Sequence, residues 1–207
     1  MTTPSDETSP TENSDEMELR ERWTRPENVS VLGMVREALE QRGDWRGILR
    51  EWSTPWSTDN DLGGIPLAGA DLTRADLRGV YLSYADLRGC RLIECDLSDA
   101  FLTGADLGEA QLMNASLSRT NAGLADFTAA DLSGAQADDC VLSRTRLVGA
   151  TLNGASLRRA KLIGTDLAHA DLTDADLRSA VLISAKTDGT VMTNARLDGV
   201  RRGSLRP

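Results

Sequence analysis

The chain has 207 residues, with 32 acidic against 23 basic side chains, a net charge of -9 and a mean hydropathy of -0.31. That balance argues against a surface built to hold nucleic-acid phosphates, which needs clustered lysine and arginine, and no apolar run approaches the roughly 20 residues of a membrane span. Three cysteines and one histidine leave little material for a disulfide framework, a zinc site or imidazole chemistry.

Residues 1–22 are mostly Thr, Ser, Pro, Glu and Asp, a composition that predicts a disordered acidic tail. They hold no basic stretch followed by an apolar core, so no signal peptide is expected and the protein is assigned to the cytoplasm. Residues 23–56 are read as an N-terminal helical cap of two short helices. Thr24-Arg25-Pro26-Glu27 has the Ser/Thr-x-x-Glu form of a helix start. Val31, Leu32, Val35, Ala38 and Leu39 then recur at helical spacing until Gly43. Asp44 is placed to cap a second helix carrying Trp45, Ile48, Leu49 and Trp52. With Trp23 and Trp56 these segments hold all four tryptophans, either to cover the end of the following domain or to hook a partner. Residues 57–64 form a polar linker, and Pro66 suits a first strand with no neighbour on one side.

From Leu67 to Leu182 a large apolar residue returns every fifth position without insertion or deletion. Of twenty-four such positions twenty-one are Leu, and the others are Ala122, Phe127 and Ala137. A small residue stands two places earlier, as at Ala70, Ala75, Ala85, Cys90, Cys95 and Ala100, and Asp very often lies between the two. A period of five suits neither ordinary element. On a helix at about 100° per residue it advances each Leu by roughly 140°, spreading the set over every face; on a strand it throws successive Leu to opposite sides. A chain that turns a corner once per repeat puts every Leu inside. Gly64, Gly69, Gly79, Gly89, Gly104, Gly134, Gly149, Gly154, Gly164, Gly189 and Gly199 all occupy the second position after the apolar one, where a turn needs them.

The word Ala-Asp-Leu-x-x resembles the A(D/N)Lxx motif of the pentapeptide-repeat family over residues 65–200. The resemblance implies an all-β fold, a right-handed quadrilateral parallel β-helix with four pentapeptides to a coil. At about 4.8 Å per coil, almost seven coils make a rod of about 33 Å. Its expected core includes Leu72, Leu77, Leu87, Leu97, Leu107, Phe127, Leu132 and Leu167. The coil centred on Ala122, Phe127, Leu132 and Ala137 exchanges volume within one layer and is expected to be underpacked or kinked. After Leu182 the pattern decays through Thr187 and Met192 to Leu197. Residues 201–207 form a basic tail too short for the C-terminal dimerisation helix of the quinolone-resistance members.

Catalysis finds no foothold in this inventory. His169 falls at an outward corner. Cys90, Cys95 and Cys140 take the small inward position, where thiols act as compact apolar groups, without the paired spacing of a metal site. No enzyme, metal or cofactor is expected. Function then belongs to the outer walls, which a stride of twenty sorts into columns. One runs Asp86, Asp106, Asp126, Arg146, Asp166, Lys186, with Asp86, Asp106, Asp126 and Asp166 forming a candidate acidic face. Its neighbour runs Asp71, Arg91, Gln111, Asp131, Thr151, Asp171. Opposite that neighbour lies Tyr81, Phe101, Asn121, Val141, Lys161, Val181, flanked by Tyr84, Leu124, Ile163 and Ile183. Tyr81, Tyr84, Phe101, Leu124, Val141, Ile163, Val181 and Ile183 form a candidate apolar interaction face. The expectation is a non-catalytic scaffold for a protein partner, with no direct nucleic-acid binding and no membrane contact. The resemblance implies an alternative, a DNA-mimicking modulator of DNA gyrase or another type II topoisomerase. Against mimicry, Arg74, Arg78, Arg88, Arg91, Arg158, Arg159 and Arg178 interrupt the acidic charge.

Overall fold

Beyond Asn60 the backbone turns a corner every five residues, and a repeat with Asp or Asn ahead of its apolar residue can settle all of its amide donors. In the repeat Ala105–Glu109, Ala105 N–H closes the corner onto Leu102 O at 2.9 Å and Asp106 N–H reaches back one coil to Ala85 O at 3.0 Å. Leu107 and Glu109 reach forward to Asp126 O at 2.7 Å and Thr128 O at 2.9 Å. The fifth donor, Gly108 N–H, points along the coil and meets the Asp106 Oδ1 at 3.0 Å. Neighbouring coils are thus joined by parallel bridges at a register of twenty, as in Asp86 to Asp106 to Asp126. Twenty residues per coil are four pentapeptides, one to each wall. The computed structural model describes residues 10–51 and 60–203.

The side chains follow from this path. Leu72, Leu77, Leu87, Leu97, Leu107, Phe127, Leu132 and Leu167 are all buried, with the small residues beside them. Where that small residue is Thr, its hydroxyl finds a carbonyl one coil back: Thr120 donates to Leu97 O and Thr145 to Ala122 O, both at 2.7 Å. Every corner from residue 64 to residue 199 has a left-handed φ at the second position after the apolar one, and most of the residues there are not glycine. Closed hydrogen bonding on both sides holds Arg74, Tyr84, Leu124 and Ser179 in a conformation that costs an L-residue about 1 kcal/mol.

Several expectations change. Residues 10–21, read as part of an unstructured tail, form helix α1 (Pro10–Glu21). Its sequence has no apolar face to announce it, but its last turn is anchored: the Leu19 backbone lies where a Cβ on Gly64 would stand, so only glycine fits there. Arg22 then pairs with the Asp61 carboxylate at 2.8 and 2.9 Å, and the Trp23 indole donates to Gly63 O at 2.8 Å. Helix α2 (Val29–Glu40) starts later than the Thr24 motif implies. Thr24 instead bonds Glu21 O, and Asn28 lies at the α2 N-terminus with its amide on Arg22 O. The left-handed residue that ends α2 is Arg42 rather than Gly43, whose N–H closes onto Ala38 O at 2.7 Å. Asp44 does cap helix α3 (Trp45–Glu51), accepting from Gly47 N–H at 2.8 Å. The coil at Ala122–Ala137, expected to be underpacked or kinked, keeps its pairing unbroken, with bridges from Asn121 to Val141, Asp126 to Arg146, Asp131 to Thr151 and Gln136 to Ser156. Phe127 is fully buried there, as are Ala122 and Ala137 in the same coil. The expected linker 57–64 ends early, since Asp61 already bridges Tyr81 and Leu62 is buried in the first coil, and residues 201–203 of the expected tail pair with the coil before them; residues 1–9, Trp52, Trp56, residues 57–59 and the tail beyond 203 lie outside the described residues.

The two ends differ. At the first coil the outward carbonyls that a preceding coil would engage receive side chains instead: Arg42 donates to Thr73 O at 3.1 Å, and Arg46 to Asp76 O and Arg78 O at 3.3 and 3.0 Å. Pro66 lacks only the N–H that would have pointed toward that missing coil. At the far end strand β1 (Val181–Ile183) pairs in parallel with strand β2 (Arg201–Gly203), while Thr187, Met192 and Leu197 are left partly or fully exposed.

Candidate functional site

The outer walls carry whatever the rod does, so each column is a test of chemistry. The column of Asp86, Asp106, Asp126 and Asp166 is continuous by bridges, but its charge is not. Arg88 holds Asp86 at 2.7 Å and stands 3.6 Å from Asp106; Arg146 holds Asp126 at 3.0 Å; Lys186 holds Asp166 at 3.2 Å. The same carboxylates also serve the backbone, Asp86 accepting Arg88 N–H, Asp126 accepting Thr128 N–H and Asp166 accepting Ala168 N–H. These bonds hold the Asp86 and Asp166 carboxyls below their usual range, Asp86 chiefly through Arg88 and Asp166 chiefly through Ala168 N–H. On the wall across from that column, the Arg78 and Arg178 guanidiniums pull Asp76 and Asp176 down to about 2.

The column starting at Tyr81 is different in kind. The Tyr81 and Phe101 rings lie flat on one another, centroids 4.7 Å apart and planes 6° off parallel, as successive coils at one register require. Both remain exposed, at 43% and 38%, and Leu124 is exposed at 48%. The Tyr84 ring covers Gly104, whose missing side chain makes room for it. Farther along, Val141, Ile163, Val181 and Ile183 are half-buried. Sequence reasoning gathered these residues by stride alone; what it missed is the ring stacking and the charge around it. Among the described residues of the solenoid, Arg144, Lys161, Arg201 and Arg202 are the cations outside any ion pair, and the first three belong to this wall. The other arginines and lysines of the rod are paired.

Nothing in the described residues assembles a metal site: no group of three or more His, Cys, Asp or Glu is placed to hold an ion. His169 stands at a corner with its ring over Gly189. The three thiols are buried and unpaired, and burial pushes Cys90 up to about 11 and Cys95 and Cys140 to about 12. Such thiols stay protonated and unreactive at neutral pH. Cys90 spends its proton on Leu67 O at 2.9 Å, the same bond the threonines make. Among the described residues no helix is long and apolar enough to cross a membrane.

A family profile described as Pentapeptide repeats matches this chain in 8 copies, over residues 70–108, 90–128, 105–144 and 140–178. The chain is a pentapeptide-repeat protein. Membership carries a right-handed β-helix, and the parallel ladder at a register of twenty gives it four repeats to a coil. Solved pentapeptide-repeat proteins are similar to it. One is Rfr23 from the cyanobacterium Cyanothece 51142, 29% identical over 44% of this chain with a TM-score of 0.42; the match spans 64% of that protein's length. Another is AT2G44920 from the Arabidopsis thaliana thylakoid lumen, 33% identical over 49% of this chain and 70% of its own, with a TM-score of 0.48. QnrB1, a plasmid-mediated fluoroquinolone resistance protein, is 17% identical over 70% of this chain and 86% of its own, with a TM-score of 0.41. No curated protein matches.

Proposed function

We propose that this pentapeptide-repeat protein is a non-catalytic cytoplasmic scaffold that binds another protein through the wall bearing Tyr81, Phe101 and Leu124. One observation carries the proposal: the exposed Tyr81 and Phe101 rings stack in neighbouring coils of one wall, with exposed Leu124 at its corner one coil farther on, whereas scattered exposed apolar residues would mean nothing. The N-terminal segment acts as a cap, its Arg22, Trp23, Arg42 and Arg46 side chains supplying donors to first-coil carbonyls that would otherwise invite edge pairing. Affinity capture from the native host with the wild type and with Tyr81→Ser/Phe101→Ser tests the proposal. A partner retained by the first and lost by the second supports it; identical profiles sink it.

The DNA-mimic alternative asks for an exposed, unneutralised file of carboxylates along the rod. Ion pairing of Asp86, Asp106, Asp126 and Asp166 with the protein's own cations weighs against it. A gyrase supercoiling assay with micromolar protein decides the matter, and inhibition abolished by Asp106→Lys/Asp126→Lys would reinstate it.

A further inference from the structure

Resting on the scaffold proposal above, we infer that the partner presents an acidic segment in extended conformation, with an apolar side chain near one end and carboxylates farther along. The argument begins with where the free positive charge lies. In a chain of net charge -9, cations on the other walls are consumed by neighbouring carboxylates one coil or two residues away. Arg144, Lys161 and Arg201 have no such neighbour, because the positions one coil above and below them hold Leu124 and Gly164, Val141 and Val181, and Val181 respectively. An apolar column strips these cations of intramolecular counter-ions. They are therefore left for a charge from outside, and charge matching of this kind selects partners and speeds encounter more than it adds raw affinity.

The same column sets the spacing. Lys161 lies three coils from Phe101 and Arg201 five, about 14 and 24 Å at the usual strand separation, which an extended chain covers in about four and seven residues. The ligand pattern is an aromatic or aliphatic residue seated beside Tyr81 and Phe101, followed at those intervals by Asp or Glu. A single-stranded nucleic acid fits less well. Its bases stack on ring faces, but Tyr81 and Phe101 spend one face each on the other and turn the remaining faces along the rod axis, leaving edges toward solvent. A second copy also fits less well: pairing this wall with the unpaired Asp131 and Asp171 across the rod is a head-to-tail contact that propagates rather than closes.

Selection of random displayed peptides of about 12 residues against the full-length protein tests this directly. Binders should carry net negative charge and an apolar residue at one end. Their affinity should fall by about tenfold on Arg144→Glu/Lys161→Glu, weaken with salt, and fall separately on Tyr81→Ser/Phe101→Ser. All these positions are solvent-facing, and unchanged thermal melts show that the variants remain folded. Neutral apolar binders that need the rings but not the cations overturn the acidic partner and leave the scaffold wall standing. Binders indifferent to both pairs overturn both proposals, as does a selection that enriches nothing. An oligo(dT) strand that binds the wild type and not Arg144→Glu/Lys161→Glu makes the occupant a nucleic acid and ends the inference. So does a sedimenting dimer lost in the same variant, which would make the occupant a second copy.

Discussion

At the scale of single residues, two neighbours in one repeat have opposite jobs. Leu107 is fully buried in a core with no polar partner, so Leu107→Asp forces a charge into it and should cost at least ~3 kcal/mol, enough to unravel several coils. Asp106 faces out and accepts Gly108 N–H. Asn accepts equally well, as Asn121 does for Gly123 N–H, so Asp106→Asn should stay within ~0.5 kcal/mol of wild type, whereas Asp106→Ala strands that donor at a cost of ~1 kcal/mol. Urea melts of the three variants check the order. Acid is the second residue-scale probe. Asp76 and Asp176 are depressed to about 2 by Arg78 and Arg178, so the stability they lend is complete above the ordinary carboxyl range near pH 4. It fades as pH falls through about 2. Melting temperature should drop across that window, and less so in Asp76→Asn/Asp176→Asn; a variant with the wild-type slope would mean the pairs contribute nothing. The inward Leu was legible from period alone, since only one geometry hides a residue recurring at five. The reason for Asp was legible only as a general liking for corners. That it answers the one amide left over in each repeat depends on counting donors in three dimensions. Likewise eleven corner glycines mark the turn, but nothing in Arg74 or Leu124 as residue types announces the same φ.

At the scale of elements, the N-terminal segment shows what a sequence pattern conceals. Residues Thr24 to Glu27 match a helix-start pattern, but Pro26 and the docking of Trp23 onto Gly63 hold them as a bridge between α1 and α2. Tertiary anchoring overrides local propensity, as it also does for α1, whose residues read as a solvated tail. Trp23 is the hinge pin of this arrangement, buried, with its indole N–H engaged. Trp23→Ala should cost ~3–5 kcal/mol of local stability. Since solenoid coils contact only their neighbours, the loss should appear in hydrogen exchange as fast opening of the first two coils, at Leu67, Leu72 and Leu77 amides, with Leu147 to Leu167 still protected. Uniform acceleration along the rod would show instead that the end segment governs the whole stack. Substituting Arg46 by Ala makes a milder version, because its two acceptors, Asp76 O and Arg78 O, then turn to water.

At the scale of the molecule, the repeat makes fold and function separable by a single deletion. Removing Ala130–Gly134 takes out one whole repeat, so every later Leu still falls inside and each corner still meets a coil above and below. Every wall beyond the cut, however, steps back a quarter turn. Val141 would bridge Ser116 rather than Asn121, and Arg144 and Lys161 would leave the column of Tyr81 and Phe101. The deleted protein should melt cooperatively, with circular dichroism like that of the wild type, and lose about tenfold in affinity for an acidic apolar peptide, because rings and cations no longer share a face. Removing only Ser133 and Gly134 breaks the period, drives polar residues into the core from Ala135 onward, and should unfold the C-terminal half. If both deletions unfold alike, the coils are not interchangeable units. If the five-residue deletion keeps its peptide affinity, the wall shared by Tyr81 and Lys161 is not where the partner sits.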